Sequence, residues 1–225
     1  MVMTKFWHLW GRFWMRYAGL QPFGRVATWL AAWWAPPYYG RTYLSSMNRR
    51  GYVSLRATIH HNNLRLAPNV YIDDDVLIYQ DKEGGPVELA EGVHLYRNTI
   101  IQTGAGGSVT IGPHTHLQPR CQLSAYKAPI HIGRQVEIAP NCAFYPYDHG
   151  FAPGEKISQQ SLQTRGGITI EDDAWLGFGV IVLNGTRIGR GAVVGAGAVV
   201  THEIPDGAIA SGVPARVMKM RSDLA

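Results

Sequence analysis

Residues 170–205 divide without remainder into six hexapeptides, IEDDAW, LGFGVI, VLNGTR, IGRGAV, VGAGAV and VTHEIP. An aliphatic residue leads each one, at Ile170, Leu176, Val182, Ile188, Val194 and Val200. The fifth place is mostly small, with Ala174, Val180, Thr186, Ala192, Ala198 and Ile204. A period of six matches neither the 3.6 of a helix nor the 2 of a flat strand, and the stretch is rich in Gly and β-branched residues. It fits a short strand plus a turn, repeated.

The same period runs upstream in triplets. The leaders are Leu66, Ile72 and Ile78; Leu89, Leu95 and Ile101; Ile111, Leu117 and Leu123; Ile132, Ile138 and Phe144. Steps within a triplet are six residues, whereas the steps between triplets are eleven, ten, nine and, from 144 to 170, twenty-six. Three hexapeptides close a triangular coil of about 18 residues, and such coils stack at the strand spacing of about 4.8 Å into parallel sheets. The leaders fill the prism, and all insertions leave from one corner. The expectation is an all-β chain, a parallel β-helix of about six triangular coils. Cys121 and Cys142 both fall on fifth places of middle hexapeptides. They are therefore read as stacked core thiols rather than nucleophiles or metal ligands. Two cysteines make no disulfide framework and suit a reducing compartment.

Outside the repeat the composition changes. Of 225 residues, 46% are hydrophobic and 16% charged, as in a chain with a packed core. The net charge of +5 is uneven: residues 1–72 hold nine Lys/Arg and no Asp/Glu, while residues 73–225 have a balance of −4. Six of the seven tryptophans lie in the first 34 residues. In TKFWHLWGRFWMRY, residues 4–17, the aromatics Phe6, Trp7, Trp10, Phe13, Trp14 and Tyr17 recur at helical spacing. A second apolar run, Val26–Trp34, ends at Pro36 and Pro37. The longest uncharged stretch there, the fifteen residues Val26–Gly40, is too short to span a bilayer, and no secretory leader is evident. Two roles suit this segment: a helical pair capping the open end of the coils, or an anchor at an anionic membrane. Basic residues with aromatics also suit nucleic acid, but the acidic body and the lack of a recognition motif argue against it. Three regions follow: a basic, Trp-rich helical segment (1–52), the β-helix (53–213) with a loop at 145–167, and a C-terminal tail (214–225).

The longest interruption, FYPYDHGFAPGEKISQQ at 144–160, carries His149. Loops that break a rigid scaffold are where function concentrates. The stretch IAPNCAFYPYDHG, followed by ITIEDDAWLGFGVIVLNGTRIGRGAVVGAGAVVTHEIPDGAIASGVPARV, resembles the hexapeptide-repeat O-acetyltransferases. These include the maltose and galactoside acetyltransferases and the antibiotic and polysaccharide O-acetyltransferases; the loop ending in SQQ is most similar to the polysaccharide-modifying branch. The resemblance covers about residues 53–220 and implies a left-handed parallel β-helix. It also implies acetyl-CoA as cosubstrate, no metal, and a homotrimer with sites between subunits. His149 falls at the catalytic histidine, a general base for a sugar hydroxyl, and the Phe178 backbone N–H falls at the oxyanion donor.

The matching coenzyme A positions are Trp175, Gly177, Phe178, Ala196, Thr201, His202, Arg216 and Lys219. His202 stands where a lysine is common. Pro119 and Lys127 replace the asparagine and the acidic residue that hold the sugar in the maltose and galactoside enzymes, so a different acceptor is implied. Gln102, Gln118, Arg120 and Tyr126 are the polar candidates for it. The γ-class carbonic anhydrases share the fold and use metal-binding histidines, two of them five residues apart, but no pair here has that spacing. His114 and His116 alternate, so only one can face inward.

The expected activity is transfer of an acetyl group from acetyl-CoA to a sugar of a glycan or glycolipid precursor, in the cytoplasm or peripherally on the inner membrane face. The alternatives are a small diffusible acceptor, such as an antibiotic or free sugar, a non-catalytic scaffold, and a metal-dependent carbonic-anhydrase-like protein.

Overall fold

The computed structural model describes residues 2–36 and 39–224; Pro37 lies outside them. Three helices, α1 (Val2–Met15), α2 (Pro22–Ala32) and α3 (Tyr39–Ser45), precede a parallel β-solenoid. The strands stack into three sheets. The first has nine strands, from Tyr52–Val53 to Arg216–Met220. The second has seven, from Thr58–His60 to Val199–Val200, and the third has six, from Leu64–Leu66 to Arg187–Ile188. Successive coils pair in register, as in Ile78↔Ile101 and Leu123↔Phe144. The hexapeptide leaders from Ile72 to Val200 are almost wholly buried and fill the prism. The architecture is the left-handed parallel β-helix.

There are about seven turns, one more than the six triplets suggest. The extra coil is Tyr52–Leu66, where Val53 and Ile59 face in. The step from Ile59 to Leu66 is seven residues, and Leu64 and Leu66 are only half-buried, so the beat blurs there. The insertions leave between the second and third sheets, at residues 81–86, 104–108, 126–129 and 146–167. The corner after the first sheet turns through left-handed residues stacked on one another. These are Asp75, Asn98, Arg120, Asn141, Gly179 and Gly197, with φ of 59°, 60°, 65°, 62°, 70° and 69°. Asn, Asp and Gly tolerate that conformation best.

Residues 214–225, set apart above as a tail, contribute a strand. Arg216–Met220 pairs antiparallel with Ala208–Ser211 and extends the first sheet. Cys121 and Cys142 are fully buried, and their thiols donate to Ala139 O at 3.3 Å and Gly177 O at 3.2 Å. The hydrogen bond to Cys142 and burial push the Cys121 thiol up, which keeps it protonated.

The helices cap the solenoid. Arg25 on α2 donates to Ser54 O at 3.1 Å, to Leu55 O at 2.8 Å and to Ala57 O, all in the first coil, which no coil precedes. A second apolar cluster joins Met15, Ala18, Ala31 and Leu44 to the outward rings of Tyr52 and Tyr71. Besides Met15 and Leu44, the helices bury small residues, among them Gly11, Gly24, Ala27 and Ala31, whereas Phe6, Phe13 and Tyr17 of the aromatic face stay exposed. The rest of that face packs: Trp14 lies against the apolar cluster, Trp10 Nε1 donates to Leu30 O at 2.8 Å, and Trp7 stacks on Trp34 with ring centroids 5.1 Å apart.

Candidate active site

The long excursion closes on itself. Asp148–His149 pairs antiparallel with Leu162–Gln163, and Gly150 N donates to Ser161 O at 3.2 Å. The Gln160 side chain holds the tip, accepting from Ala152 N at 2.8 Å and donating to Ala152 O and Glu155 O, both at 3.0 Å. At the base, the buried Asn184 donates to Asp148 Oδ2 at 2.6 Å. Its Oδ1 accepts from Arg165 N at 3.2 Å and Arg165 Nε at 2.8 Å. Thr164 Oγ1 donates to Pro146 O at 2.6 Å. The backbone carrying His149 is thus tied to the coil below through its neighbour Asp148. His149 itself is exposed at the corner between the second and third sheets.

Phe178 stands at a different corner, the one between the first and second sheets. Its carbonyl accepts from Gly197 N at 2.8 Å, while its amide has no acceptor among the described residues. In the two coils above, the same place holds Pro119 and Pro140, which have no N–H at all. The amide at this place is therefore not needed by the sheets and is free to serve a ligand. About 15 Å of second-sheet strand separates this corner from that of His149, from the rise per residue. One chain does not bring His149 and Phe178 together.

The coenzyme A candidates divide in the same way. Gly177 packs against the next coil so closely that a Cβ there would lie 2.7 Å from Ala196 N. Trp175, exposed on the first sheet, lies beside this corner, and so does the exposed Ala196. Arg216 pairs with Ser211, which lies over Gly195, so Arg216 reaches the same corner. Lys219 pairs with Ile209, further back on the sheet. Thr201 and His202 turn at the other corner, with Thr201 Oγ1 and His202 Nδ1 2.7 Å apart.

Of the four acceptor candidates, the structure joins two. Outward on the second sheet, Tyr79, Gln102 and Ser124 occupy one register column. Tyr79 OH donates to Gln102 Oε1, Gln102 Nε2 donates to Ser124 Oγ, and Ser124 Oγ lies 3.2 Å from Tyr147 OH. Tyr126 packs edge-on against Tyr147, with ring centroids 5.5 Å apart, and donates to Asp81 Oδ2 at 3.2 Å. Burial, with Tyr79 and Asp81 nearby, pushes its phenol up, so it remains a donor. Gln118 and Arg120 turn instead at the first corner, away from this column. Aligning the middle hexapeptides would have shown the column, because each member follows its leader by one. Nothing in the sequence marks Asn184, since NG reads as an ordinary corner.

The remaining histidines do not converge. Neither His114 nor His116 faces the core: Thr115 and Leu117 do. His116 instead stacks on His94, 4.5 Å between centroids, and lies 2.8 Å from Glu137. Burial, with His116 beside it, pulls His94 down to about 4. Among the described residues, no group of three His, Cys, Asp or Glu is placed to hold a metal ion.

A parallel β-helix with one long histidine-bearing excursion and a free backbone amide at the next corner defines an architectural class. Residues 167–202 match the family Bacterial transferase hexapeptide (six repeats). It is 38% identical over 94 residues to a galactoside O-acetyltransferase of Lactococcus lactis, covering 42% of this chain and 44% of that protein. To a probable acetyltransferase of Mycobacterium tuberculosis it is 33% identical over 152 residues, covering 68% of this chain and 50% of the relative. The chain thus spans about half the length, or less, of these curated relatives. Among solved structures, the polySia-specific acetyltransferase NeuO superposes with a TM-score of 0.61 at 22% identity, over 76% of each chain, which shows the shared fold.

Proposed function

We propose that this chain is a CoA-dependent O-acetyltransferase that moves an acetyl group from acetyl-CoA to a sugar hydroxyl of a glycan or glycolipid precursor. The observation that carries this reading is the tethered hairpin. It holds His149 at one corner, while the free Phe178 amide waits at another. Two corners that one chain keeps apart become a single site when a second copy lies alongside. A homotrimer, the assembly of the resembling family, closes three such sites.

In each site the His149 imidazole removes the proton of the acceptor hydroxyl as its oxygen attacks the thioester carbonyl. The carbonyl oxygen gains negative charge and accepts a hydrogen bond from the neighbouring copy's Phe178 amide. The tetrahedral intermediate then expels the CoA thiolate, which takes the proton from the imidazolium. No covalent enzyme intermediate is required, consistent with two core-buried cysteines. Gly177 and Ala196 let the pantetheine approach the backbone, with Trp175 beside it. Arg216, Lys219, Thr201 and His202 are the candidates for its polar groups. Gln102 and Tyr126, together with Tyr79, Ser124 and Tyr147, form the acceptor wall; Gln118 and Arg120 stand apart from it. The protein works in the cytoplasm, peripherally at the inner face of a membrane.

The test is an acceptor screen with labelled acetyl-CoA across free sugars, oligosaccharides, lipid-linked glycans and amino sugars, each product then treated with mild alkali. Alkali-labile label on a glycan is the expected result. Alkali-stable label would make the transfer N-acetylation. Label confined to small free acceptors would favour a diffusible substrate.

A further inference from the structure

The N-terminal helices cap the solenoid, yet they carry far more exposed aromatic surface than a cap needs. On α2 the side facing the coils is Gly24, Ala27, Thr28 and Ala31, all buried. Phe23 (66% exposed), Val26, Trp29 and, just beyond the helix, Trp33 (70%) stay open to solvent, with Trp29 and Trp33 overhanging a groove whose far wall is Ser54, Leu55 and Arg56. These recur at three to four residues, so they form one stripe. On α1 the exposed Phe6, Leu9 and Phe13 form a second. Large apolar side chains exposed at this density mark a docking surface.

The charge around the stripes selects the occupant. Lys5, Arg12, Arg16, Arg49 and Arg50 make no ion pair among the described residues. No Asp or Glu occurs before Asp73. Arg50 lies beside Phe23, and Arg41 and Arg56, each paired with an Asp, lie beside Trp29 and Trp33; an aromatic, Trp-rich surface with this excess of cations suits the headgroup region of an anionic bilayer. No helix among the described residues is long and apolar enough to cross one.

We infer that the outward face of the α1–α2 cap, with Phe23, Trp29 and Trp33 as its apolar core, docks this protein on an anionic lipid surface. This fills in the membrane contact of the proposed function and rests on that reading for its purpose. The face lies at the end of the solenoid rather than along its sides, so copies packed side by side with parallel axes present it in one plane. Their contacts with the lipid then add as avidity. Because the buried contact of α2 is made by Gly24, Ala27, Thr28 and Ala31, the exposed residues can be changed without opening the core.

The experiment is flotation of the full chain with phosphatidylcholine vesicles, with and without phosphatidylglycerol, alongside a Phe23→Ser/Trp29→Ser/Trp33→Ser variant. Circular dichroism melting and solution mass are followed in parallel. The full chain is expected to float only with phosphatidylglycerol, with binding falling roughly tenfold or more as salt is raised. The variant should lose flotation and keep its melting temperature and mass. Failure to float with either vesicle, or equal flotation with both, would overturn the inference. So would a fall in the variant's mass, which would make a second copy of the chain the occupant. Flotation reads no chemistry, so its failure leaves acetyl transfer to be judged by its own assay, and failure of transfer leaves flotation intact.

Discussion

Replacing Asn184 with Ala should loosen the histidine hairpin while leaving the β-helix in place. The side chain makes three hydrogen bonds, one to Asp148 and two with Arg165. Bonds with a charged partner contribute about 1.5–3 kcal/mol each when buried. Asp148 and Arg165 are exposed, so water takes over much of what is lost. A net cost of about 2 kcal/mol remains, or roughly a 30-fold rise in the open population of the hairpin. Hydrogen exchange at the Gly150 amide, which donates to Ser161 O, reports that opening. It should quicken by about that factor, and turnover should fall roughly tenfold with little change in the KM for acetyl-CoA. Asn184→Asp sets a second carboxylate against Asp148. Repulsion between the two carboxylates should also quicken exchange at Gly150. Unchanged Gly150 exchange in both variants would refute the idea that this network holds His149 in place.

Further outcomes are expected elsewhere. Gly177→Ala puts a Cβ 2.7 Å from Ala196 N, a backbone atom that cannot step aside. It should cost about 1–3 kcal/mol, lower Tm by roughly 3–10 °C, and weaken acetyl-CoA binding measured by calorimetry. Gln102→Ala breaks the Tyr79–Gln102–Ser124 chain. It should raise the KM for the glycan acceptor roughly tenfold with the KM for acetyl-CoA unchanged, and equal effects on both would detach Gln102 from the acceptor. Prolonged treatment with a chelator should leave Tm and transfer activity as they were, whereas loss of activity restored by zinc would bring a metal into the mechanism.

The fold was legible wherever the period was strict. From Ile72 onward every leader falls in the core because a buried prism tolerates little else. The first coil escaped because its third side runs one residue long, and the terminal strand escaped because RVMKM pairs antiparallel and alternates no leader inward. His149 could be found from its place in the gap and from the motif before it. What holds its backbone could not, since Asn184 lies 36 residues beyond Asp148 and is adjacent only after a full coil has closed. The acceptor candidates separated for the same reason. Gln102 and Gln118 are both polar residues next to a leader, and only the strand register shows that one joins the column of Tyr79 and Ser124 while the other begins a corner.

The most direct measurement is the rate of labelled acetyl transfer by His149→Ala against the unmodified chain, under conditions where both bind acetyl-CoA and have the same solution mass. General-base assistance contributes ~10²–10⁴-fold, so turnover should fall at least about 100-fold with acetyl-CoA affinity retained. Turnover within a few-fold of the unmodified chain would contradict the assignment of His149 as the base.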